Sequence, residues 1–422
     1  MSQHKPINRR RFLKKAAHIA TATAAFPYFV PASVLGKSGT VAPANRITIG
    51  CIGTGGRGRL NMRTFMAEPD VQVLAVCDVD APHREKARIA AGLPPKSACP
   101  DFRDLLARTD IDAVVISTPD HWHVPIAVAA VKAGKDVFCE KPLSLTIAEG
   151  RSLCDAVKCY GAVFQTGSQQ RSDSRFQYAC ELVRTGRLGK INIINVGLPG
   201  SRSIGPQPIM PVPDGFDYNM WLGPAPWKPY TKARCHGAFR HIFDYSGGKF
   251  IDWGAHHLDI VQFALRADDS GPVRIAGRGQ FPNEGIYNTA LEYDIDFAYA
   301  DGTKVNASTE HPGGIRFEGA DGWVFVNRGV IEAHPESLIE ATAINRCIMP
   351  PHHRNFLDCV RLRKDPIAPA EVGHRSASVC HLGNIAMLLA RTLNWDPQTE
   401  RLANDPEAAR MTARAMRAPW RL

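Results

Sequence analysis

The stretch Arg46-Ile-Thr-Ile-Gly-Cys-Ile-Gly-Thr-Gly-Gly-Arg-Gly58 decides the fold of this chain. Its first seven residues, 46–52, form a short apolar run that predicts a buried β-strand. The glycine-rich turn that follows opens a predicted helix over residues 58–67, and a second apolar run covers residues 71–77. This second run ends at Asp78, which has the spacing from the glycines that dinucleotide-binding strand–turn–helix units show.

Three glycines of the turn follow the G-x-G-x-x-G spacing. Gly53 permits the tight turn, Gly55 lets the backbone approach a pyrophosphate, and Gly58 allows close packing of helix and strand. The helix N-terminus then directs free N–H groups at the phosphates. Asp78 would accept hydrogen bonds from ribose hydroxyls and repel a 2′-phosphate, so the predicted cofactor is NAD rather than NADP.

The remaining residues of the turn, Gly56 and Arg57, are predicted to contact the cofactor as well. Arg57 could pair with a phosphate, which would weaken the case for NAD over NADP. The alternative interpretation of the whole motif is an ordinary glycine-rich turn followed by a solvated aspartate.

Strand-like and helix-like patterns alternate from the turn to residue 165. The further strands are predicted at residues 113–118, 136–139 and 162–165, and the helices at residues 83–91, 102–107, 124–133 and 147–160. Short apolar strands separated by helices are typical of the α/β class. We therefore predict an NAD-binding Rossmann domain over residues 46–165, with a doubly wound parallel sheet.

The pattern changes after residue 166. Helices are predicted at residues 176–185, 249–265 and 376–391, and strands at residues 191–196, 289–299, 303–308 and 322–327. Between them lies a stretch rich in Pro, Gly and aromatic residues, 199–230, which either packs as a small core or stacks on sugar rings. Residues 166–422 are predicted to form an α+β domain with an open mixed or antiparallel sheet that binds substrate and mediates oligomers.

The net charge of +10 is concentrated at the N-terminus. Residues 1–37 contain seven Lys and Arg and no Asp or Glu, which leaves +3 for the rest of the chain. Since no basic stripe remains, nucleic acid is not an expected partner.

The N-terminal residues also carry a targeting pattern. Asn8-Arg-Arg-Arg-Phe-Leu-Lys14 resembles a twin-arginine motif and precedes a weakly apolar, Ala-rich stretch at residues 16–30. We predict a signal segment at residues 1–33, a linker at residues 34–45, and export to the periplasm by the twin-arginine machinery. An anchor formed by an uncleaved signal, or a disordered basic tail, are the alternatives.

The eleven cysteines do not suggest a disulfide framework. Their number is odd, no C-x-x-C pair occurs, and Cys51, Cys77 and Cys139 lie within apolar strand-like runs. They are expected to behave as small buried hydrophobic residues.

Thr118-Pro-Asp-His-Trp-His123 follows the predicted strand at residues 113–118. Ligands of doubly wound sheets lie at the carboxyl ends of strands, so Thr118, Pro119 and His123 are predicted to line the nicotinamide side of the cleft. Packing of these aromatic residues on a neighbouring helix is the alternative.

Glu140-Lys141-Pro142 follows the next strand on the same edge of the sheet. A lysine held beside a cofactor can have a lowered pKa and transfer protons. We predict Glu140 and Lys141 at the cofactor, although an exposed lysine before a proline is common.

Gly247-Gly-Lys-Phe-Ile-Asp-Trp-Gly-Ala-His-His-Leu-Asp259 is the last motif. Asp252 and His256 are four residues apart and share a helix face, where a carboxylate can orient a histidine for acid–base work. A satisfied polar helix face is one alternative. A metal site is another, but it lacks a clear third ligand unless His352-His353 supplies one.

In this order, the four motifs resemble the Gfo/Idh/MocA family of nicotinamide-dependent sugar oxidoreductases over residues 46–390, and the exported branch in particular. The resemblance implies that Lys141 binds substrate and nicotinamide and that Asp252 and His256 are the acid–base pair. It also implies an open C-terminal sheet that forms homo-oligomers. The expected reaction is hydride transfer from a secondary CH–OH of a sugar, cyclitol or glycoside to NAD.

An exported enzyme would find little free NAD, so we expect a tightly bound cofactor. A redox-neutral, NAD-dependent glycoside hydrolase is one alternative. A non-catalytic sugar-binding protein on the same fold is another, although the presence of all three catalytic candidates argues against it.

Overall fold

The structure is a computed structural model that describes residues 41–339, 341–347 and 349–422. The predicted signal segment and most of the linker lie outside these residues. At the end of the linker, a 3₁₀ turn spans Pro43–Asn45. Ile47–Leu422 forms a separate unit that carries both sheets. Within the described residues, no helix combines the length and the apolar composition that crossing a bilayer requires.

Six strands in the described chain form the first sheet, in the order β3-β2-β1-β4-β5-β6. They span Ile47–Ile52 (β1), Val71–Cys77 (β2), Ala98–Cys99 (β3), Ala113–Ile116 (β4), Asp136–Cys139 (β5) and Phe164–Thr166 (β6). Every pairing is parallel, because helices cross over between the strands. The predicted doubly wound sheet is confirmed, and its order reverses between β1 and β4, where such sheets bind ligands.

Five helices accompany this sheet in the described residues: Gly56–Met66 (α1), Ala81–Ala90 (α2), Phe102–Leu106 (α3), Asp120–Lys132 (α4) and Ile147–Tyr160 (α5). The side chains of Asp80, Asp101 and Thr146 cap the N-termini of α2, α3 and α5, where each accepts a hydrogen bond from a backbone N–H group. Helix α1, which follows the glycine turn, has no side-chain cap. Its first N–H groups are therefore free for a ligand.

The second sheet has nine described strands in the order β13-β12-β11-β7-β10-β9-β8-β14-β15. They span Ile191–Gly197 (β7), Arg274–Gln280 (β8), Glu292–Ala298 (β9), Lys304–Ser308 (β10), Gly314–Gly319 (β11), Trp323–Asn327 (β12), Val330–His334 (β13), Leu393–Asp396 (β14) and Arg401–Leu402 (β15). Strands β7 and β10 pair in parallel and the other pairs are antiparallel, which confirms the predicted open mixed sheet.

The remaining helices of the described chain are Ser174–Arg184 (α6), Tyr218–Leu222 (α7), Gly248–Ala264 (α8), Ala341–Arg346 (α9), His352–Leu362 (α10), Ala370–Leu389 (α11) and Pro406–Arg410 (α12). Along β9, Tyr293, Ile295 and Phe297 are buried while the residues between them are not. This alternation places one face of the sheet against the helices.

The boundary at residue 165 stays a prediction, since the two halves of the chain share core. Phe356 and Leu357 of α10 are fully buried in the same hydrophobic cluster as Ile49 and Phe65 of the first sheet. A segment distant in sequence thus completes the core beneath the glycine turn.

No disulfide joins the cysteines of the described residues. Cys51, Cys77 and Cys139 are buried, as expected for small hydrophobic residues. Burial raises the pKa of the Cys51 thiol to about 12, so this thiol stays protonated at neutral pH.

Several buried histidines make stability depend on pH. Burial lowers the pKa of His121 to about 4 and that of His257 to about 3, against about 6.5 in the unfolded chain. Between pH 6.5 and about 4 the unfolded chain therefore binds protons that the folded protein does not, and stability falls as pH falls. Each such histidine contributes up to about 1.4 kcal/mol per pH unit, which urea denaturation at pH 7.5 and 5.5 would measure.

His257 offers a direct check on this dependence, because it is 1% exposed and its Nδ1 has no hydrogen-bond partner in the part of the chain that the structure describes. His257→Leu should flatten the stability–pH profile, whereas His334→Gln, at an exposed position, should leave it unchanged. An equal slope in His257→Leu and the parent would contradict a neutral, buried His257.

Candidate active site

A cavity of about 340 Å³ lies at the carboxyl ends of β1, β2 and β4. One wall is the glycine turn with Asp78 and Thr118, as predicted from the sequence. The opposite wall comes from residues 216–240, including Trp221 and His236. Within the aromatic stretch, Trp221 thus faces the cavity, Tyr218 is buried in a small core, and Trp227 is exposed.

The glycines of the turn fit a dinucleotide. A Cβ on Gly58 would lie 1.9 Å from the Gly53 carbonyl oxygen, and Gly53 itself has a φ of +79°. These two glycines are required by the protein's own packing. In contrast, a Cβ on Gly55 would meet only the His83 ring, at 3.9 Å, and one on Gly56 would meet nothing within 4 Å. The space beside Gly55 and Gly56, at the uncapped start of α1, suits a pyrophosphate.

Two alanine substitutions separate these roles. Gly55→Ala should leave the stability of the cofactor-free protein unchanged and weaken NAD binding by about tenfold or more, because its Cβ enters ligand space. Gly58→Ala should lower the melting temperature, because its Cβ collides with the backbone of Gly53. Calorimetric NAD titration and thermal melts of both variants measure the contrast. Equal effects of the two variants on both quantities would refute it.

Asp78 is held at the end of β2 by backbone amides. The Thr54 N–H donates to Asp78 Oδ2 at 2.6 Å and the Asp80 N–H donates to Oδ1 at 2.9 Å. Burial raises the pKa of Asp78, and these two amides partly oppose the rise. The fixed carboxylate faces the cavity beside His83, where it can accept hydrogen bonds from ribose hydroxyls.

Arg57 is directed at Glu140 and away from Asp78. Its Nε donates to Glu140 Oε1 at 2.7 Å, and the amides of Asn61 and Gln169 donate to the same oxygen. Burial favours a higher pKa for Glu140, but Arg57, Asn61 and Lys141 outweigh it and the pKa is lowered. Arg57 thus joins the glycine turn to the E-K-P loop. Asp78 remains the acidic side chain at the part of the cavity where the ribose is expected to bind.

A second cavity, of about 690 Å³, shares Arg57 and Thr118 with the first. It contains all three predicted catalytic residues, Lys141, Asp252 and His256. Lys141 comes from the loop after β5, and the other two lie in α8, so the fold brings together residues more than a hundred positions apart.

Lys141 and Asp252 form a close ion pair. Lys141 Nζ donates to Asp252 Oδ1 at 2.7 Å and to the Asp252 backbone carbonyl at 2.8 Å. Arg240 and Lys249 also donate to the Asp252 carboxylate, at 3.2 and 2.8 Å. Burial would raise the pKa of Asp252, but these three cations lower it strongly, so the carboxylate remains ionised.

His256 is not bonded to Asp252, although both lie on the same face of α8. The Asp252 oxygens are taken by cations, and His256 Nδ1 is buried without a hydrogen-bond partner in the described residues. Burial, with the charges of Lys141 and Arg328, lowers the pKa of His256 well below 6.5, and Asp252 opposes this only in part. The expected contact, in which Asp252 orients His256, is therefore not present, and Asp252 fixes Lys141 instead. His256 is a neutral imidazole that can accept a proton.

Thr118-Pro-Asp-His-Trp-His123 is not a loop, because Asp120 begins α4 and Pro119 is its N-cap. His123 is buried and its two ring nitrogens contact the carbonyls of Pro142, at 2.6 Å, and Thr118, at 3.0 Å. It therefore ties the E-K-P loop to the end of β4, and it also borders the larger cavity. Thr118 borders both cavities, and its buried hydroxyl has no hydrogen-bond partner in the described residues.

His352 and His353 do not complete a metal site with Asp252 and His256. His352 contacts the Thr166 carbonyl and the Ser172 hydroxyl, and His353 stacks on Phe138. Neither borders the larger cavity. Both rings pack against Phe138 of the first sheet.

Other residues of the site escaped the sequence motifs. Arg240, Gln170 and Arg328 border the larger cavity, and His236 borders the smaller one. None belongs to a recognisable pattern, because each lies on a segment that only the folded chain brings to the cleft. The position of Gln170, directly after β6 at the carboxyl edge of the sheet, was the one available signal.

Two family models match the chain. Residues 47–168 match the oxidoreductase family's NAD-binding Rossmann fold, and residues 200–422 match its C-terminal alpha/beta domain. The first match confirms the predicted NAD-binding Rossmann domain.

Curated relatives cover parts of the chain. A glycosyl hydrolase family 109 protein from Shewanella baltica (strain OS185) is 35% identical over 170 residues, 36% of this chain and 37% of the relative. The scyllo-inositol 2-dehydrogenase (NAD(+)) of Bacillus subtilis (strain 168) is 28% identical over 285 residues, 63% of this chain and 72% of the relative. The chain spans about half or less of the length of the first curated relatives it matches.

Solved structures share the fold. The WlbA dehydrogenase from Bordetella pertussis, in complex with NADH and UDP-GlcNAcA, has a TM-score of 0.64 and 17% identity, covering 83% of this chain and 99% of that structure. With models matching both halves, the chain belongs to the Gfo/Idh/MocA oxidoreductase family.

Proposed function

We propose that this protein oxidises a secondary CH–OH of a sugar, cyclitol or glycoside with NAD that it holds tightly. One observation carries the proposal: the Lys141–Asp252 pair, at 2.7 Å, borders the same cavity as His256, whose Nδ1 has no partner in the described residues, and this cavity shares Arg57 and Thr118 with the cavity at the glycine turn. The similarity to an inositol dehydrogenase supports the substrate class.

The side chains have separable roles in this reaction. Lys141, fixed by Asp252, donates a hydrogen bond to the substrate oxygen and stabilises the negative charge that develops on it. His256, a neutral imidazole, accepts the hydroxyl proton. Bound NAD supplies the hydride acceptor. Gly55, Gly56, Arg57 and Asp78 hold the cofactor from the first sheet, with Thr118 and Glu140 near its reactive end, while Gly53 and Gly58 give the turn its shape.

Tight retention of NAD is supported by the cavity lining, because residues 216–240 border the same cavity as the glycine turn and can contact the cofactor as well. We further propose, from the N-terminal sequence alone, that the protein loads NAD before export to the periplasm through the twin-arginine route. We also propose that the open face of the second sheet forms homo-oligomers.

A redox-neutral glycoside hydrolase is the second candidate. It is favoured by the 35% identity to a glycosyl hydrolase family 109 protein over 170 residues. In that case the cofactor would return to its starting state in each turnover, which suits a retained NAD. A non-catalytic sugar-binding protein is disfavoured by the intact Lys141–Asp252–His256 arrangement.

The deciding experiment incubates the purified, dialysed protein with sugars, cyclitols and glycosides. Absorbance at the NADH wavelength and product identity are followed together. Reduction of bound NAD by a free sugar or cyclitol supports the oxidoreductase, and cleaved glycoside without net NADH supports the hydrolase. NAD lost on dialysis would contradict tight binding, and absence of any product would contradict both enzymes.

A further inference from the structure

Arg328 lies in the turn between β12 and β13 and borders the larger cavity. Its guanidinium lies 4.9 Å from the centre of the Trp253 ring. Trp253 belongs to α8, and its ring lies beside that of His256. Among the described residues, it has no carboxylate within ion-pair distance. Arg328 is therefore an exposed, oriented cation that faces the substrate side of the site.

The other cations bordering the cavity each have a carboxylate partner. Lys141, Arg240 and Lys249 all bind the carboxylate of Asp252, so three cations share one anion. Arg57 is paired with Glu140. Positive charge thus exceeds negative charge around Asp252 even before Arg328 is considered.

The two remaining carboxylates bordering the cavity do not neutralise Arg328. Asp120 is buried and accepts a hydrogen bond from the Ser246 hydroxyl at 2.5 Å. Asp173 caps α6 by accepting the Arg175 N–H at 2.9 Å. Asp120 is thus bonded to Ser246 and Asp173 to its own helix, and neither pairs with Arg328, which leaves the guanidinium to an anion from outside.

Gln170 provides a second indication that a ligand binds in the larger cavity. Its side chain is 5% exposed, and neither Oε1 nor Nε2 has a hydrogen-bond partner in the described residues. A buried amide with an idle donor and an idle acceptor costs stability unless a ligand satisfies both. Neighbouring hydroxyls of a sugar can do so, since each hydroxyl both donates and accepts.

We propose that the substrate is a carbohydrate with an anionic group, with Arg328 binding the anion and Gln170 binding adjacent hydroxyls. This inference rests on the proposed sugar site and names its substrate class. A carboxylate fits best, because the guanidinium fork binds it through two parallel hydrogen bonds. A phosphate or sulfate ester presents the same chemistry, and the experiment distinguishes these sources.

The test measures binding of D-glucuronate, D-glucose 6-phosphate and D-glucose to the protein with its bound cofactor, by calorimetry at low salt. The anionic sugars should bind at least about tenfold more tightly than glucose. Arg328→Gln should remove about 10- to 100-fold of that affinity and change glucose binding much less. Arg328→Lys should recover part of it, because the charge remains but the fork is lost.

Arg316→Gln is the matched control. Arg316 also lies on a tryptophan, 4.0 Å from the Trp323 ring centre, but pairs with Glu318 outside the cavity. The Arg316→Gln variant should bind all three sugars with the affinity of the parent protein. Tighter binding of glucuronate than of the phosphate ester identifies a carboxylate ligand, and the reverse order identifies an ester.

The possible failures are distinct. If glucose binds or is oxidised as well as the anionic sugars, or if Arg328→Gln leaves their ratio unchanged, the inference is wrong while the proposed function stands. If no sugar of either class binds or reacts, the proposed function fails and the inference fails with it.

Discussion

Lys141→Ala is expected to lower kcat for sugar oxidation by about 10²- to 10⁴-fold, with little change in bound NAD. The Lys141 ammonium is fixed by two hydrogen bonds to Asp252 and points into the cavity next to His256. Removing it deletes the donor to the reacting oxygen and leaves the glycine turn intact. Single-turnover reduction of bound NAD, followed by absorbance, measures the loss.

Lys158→Ala provides the comparison, because Lys158 is exposed on α5 and lies outside both cavities. It should retain the parent rate. The Lys141 variant should also keep its NAD content after dialysis, which separates a catalytic effect from loss of cofactor. A Lys141→Ala protein that turns over at the parent rate would refute the assigned role and favour a non-catalytic binding protein.

Arg171→Met is expected to lower the free energy of unfolding by about 3–5 kcal/mol. Arg171 and Asp259 are both fully buried, and their side chains meet at 2.9 Å. Asp259 also accepts a hydrogen bond from the Ser376 hydroxyl, and Arg171 forms a second ion pair with Asp268. Methionine would fill the volume but leave the Asp259 charge buried without its cation. Urea denaturation at pH 7.5 measures the change.

The effect of Arg171→Met should depend on pH with a definite sign. Burial already raises the pKa of Asp259 and Arg171 opposes it, so the variant's Asp259 should titrate higher still. The folded variant then holds a proton on Asp259 that the unfolded chain has released. The loss of unfolding free energy relative to the parent should therefore be larger at pH 8 than at pH 5. Arg278→Met removes an exposed pair with Asp294 and should show no measurable change.

This ion pair bears on function as well as on stability. Arg171 lies in the 3₁₀ segment Gln169–Ser172, next to Gln170, and Asp259 is the last residue of the α8 motif. The pair therefore fixes the segment that carries Gln170 against the helix that carries Asp252 and His256. The sequence motif includes Asp259 with the catalytic candidates, but its partner and its structural role became visible only in the fold.

Most of the first sheet was predictable because its signals are local, although the two-residue strand β3 went unrecognised. An apolar strand of four to seven residues, a glycine at a turn and a helix each depend on neighbours in the chain. Strands β2 and β5 and helix α5 have the predicted bounds. The second sheet was predicted less completely. Strands β8 and β11 went unrecognised, since glycines within β8 and at both ends of β11 interrupt the apolar alternation.

The sequence alone determined the Rossmann class, the glycine turn with Asp78, and the residue types of the site. These features follow from spacing along the chain. Tertiary structure alone decided the partners of those residues: Asp252 fixes Lys141 instead of His256, Arg57 turns to Glu140, and Arg328 stands without a carboxylate. The physical reason is that an ion pair or an unpaired charge depends on which distant segments meet, and helix periodicity shows only which residues share a face.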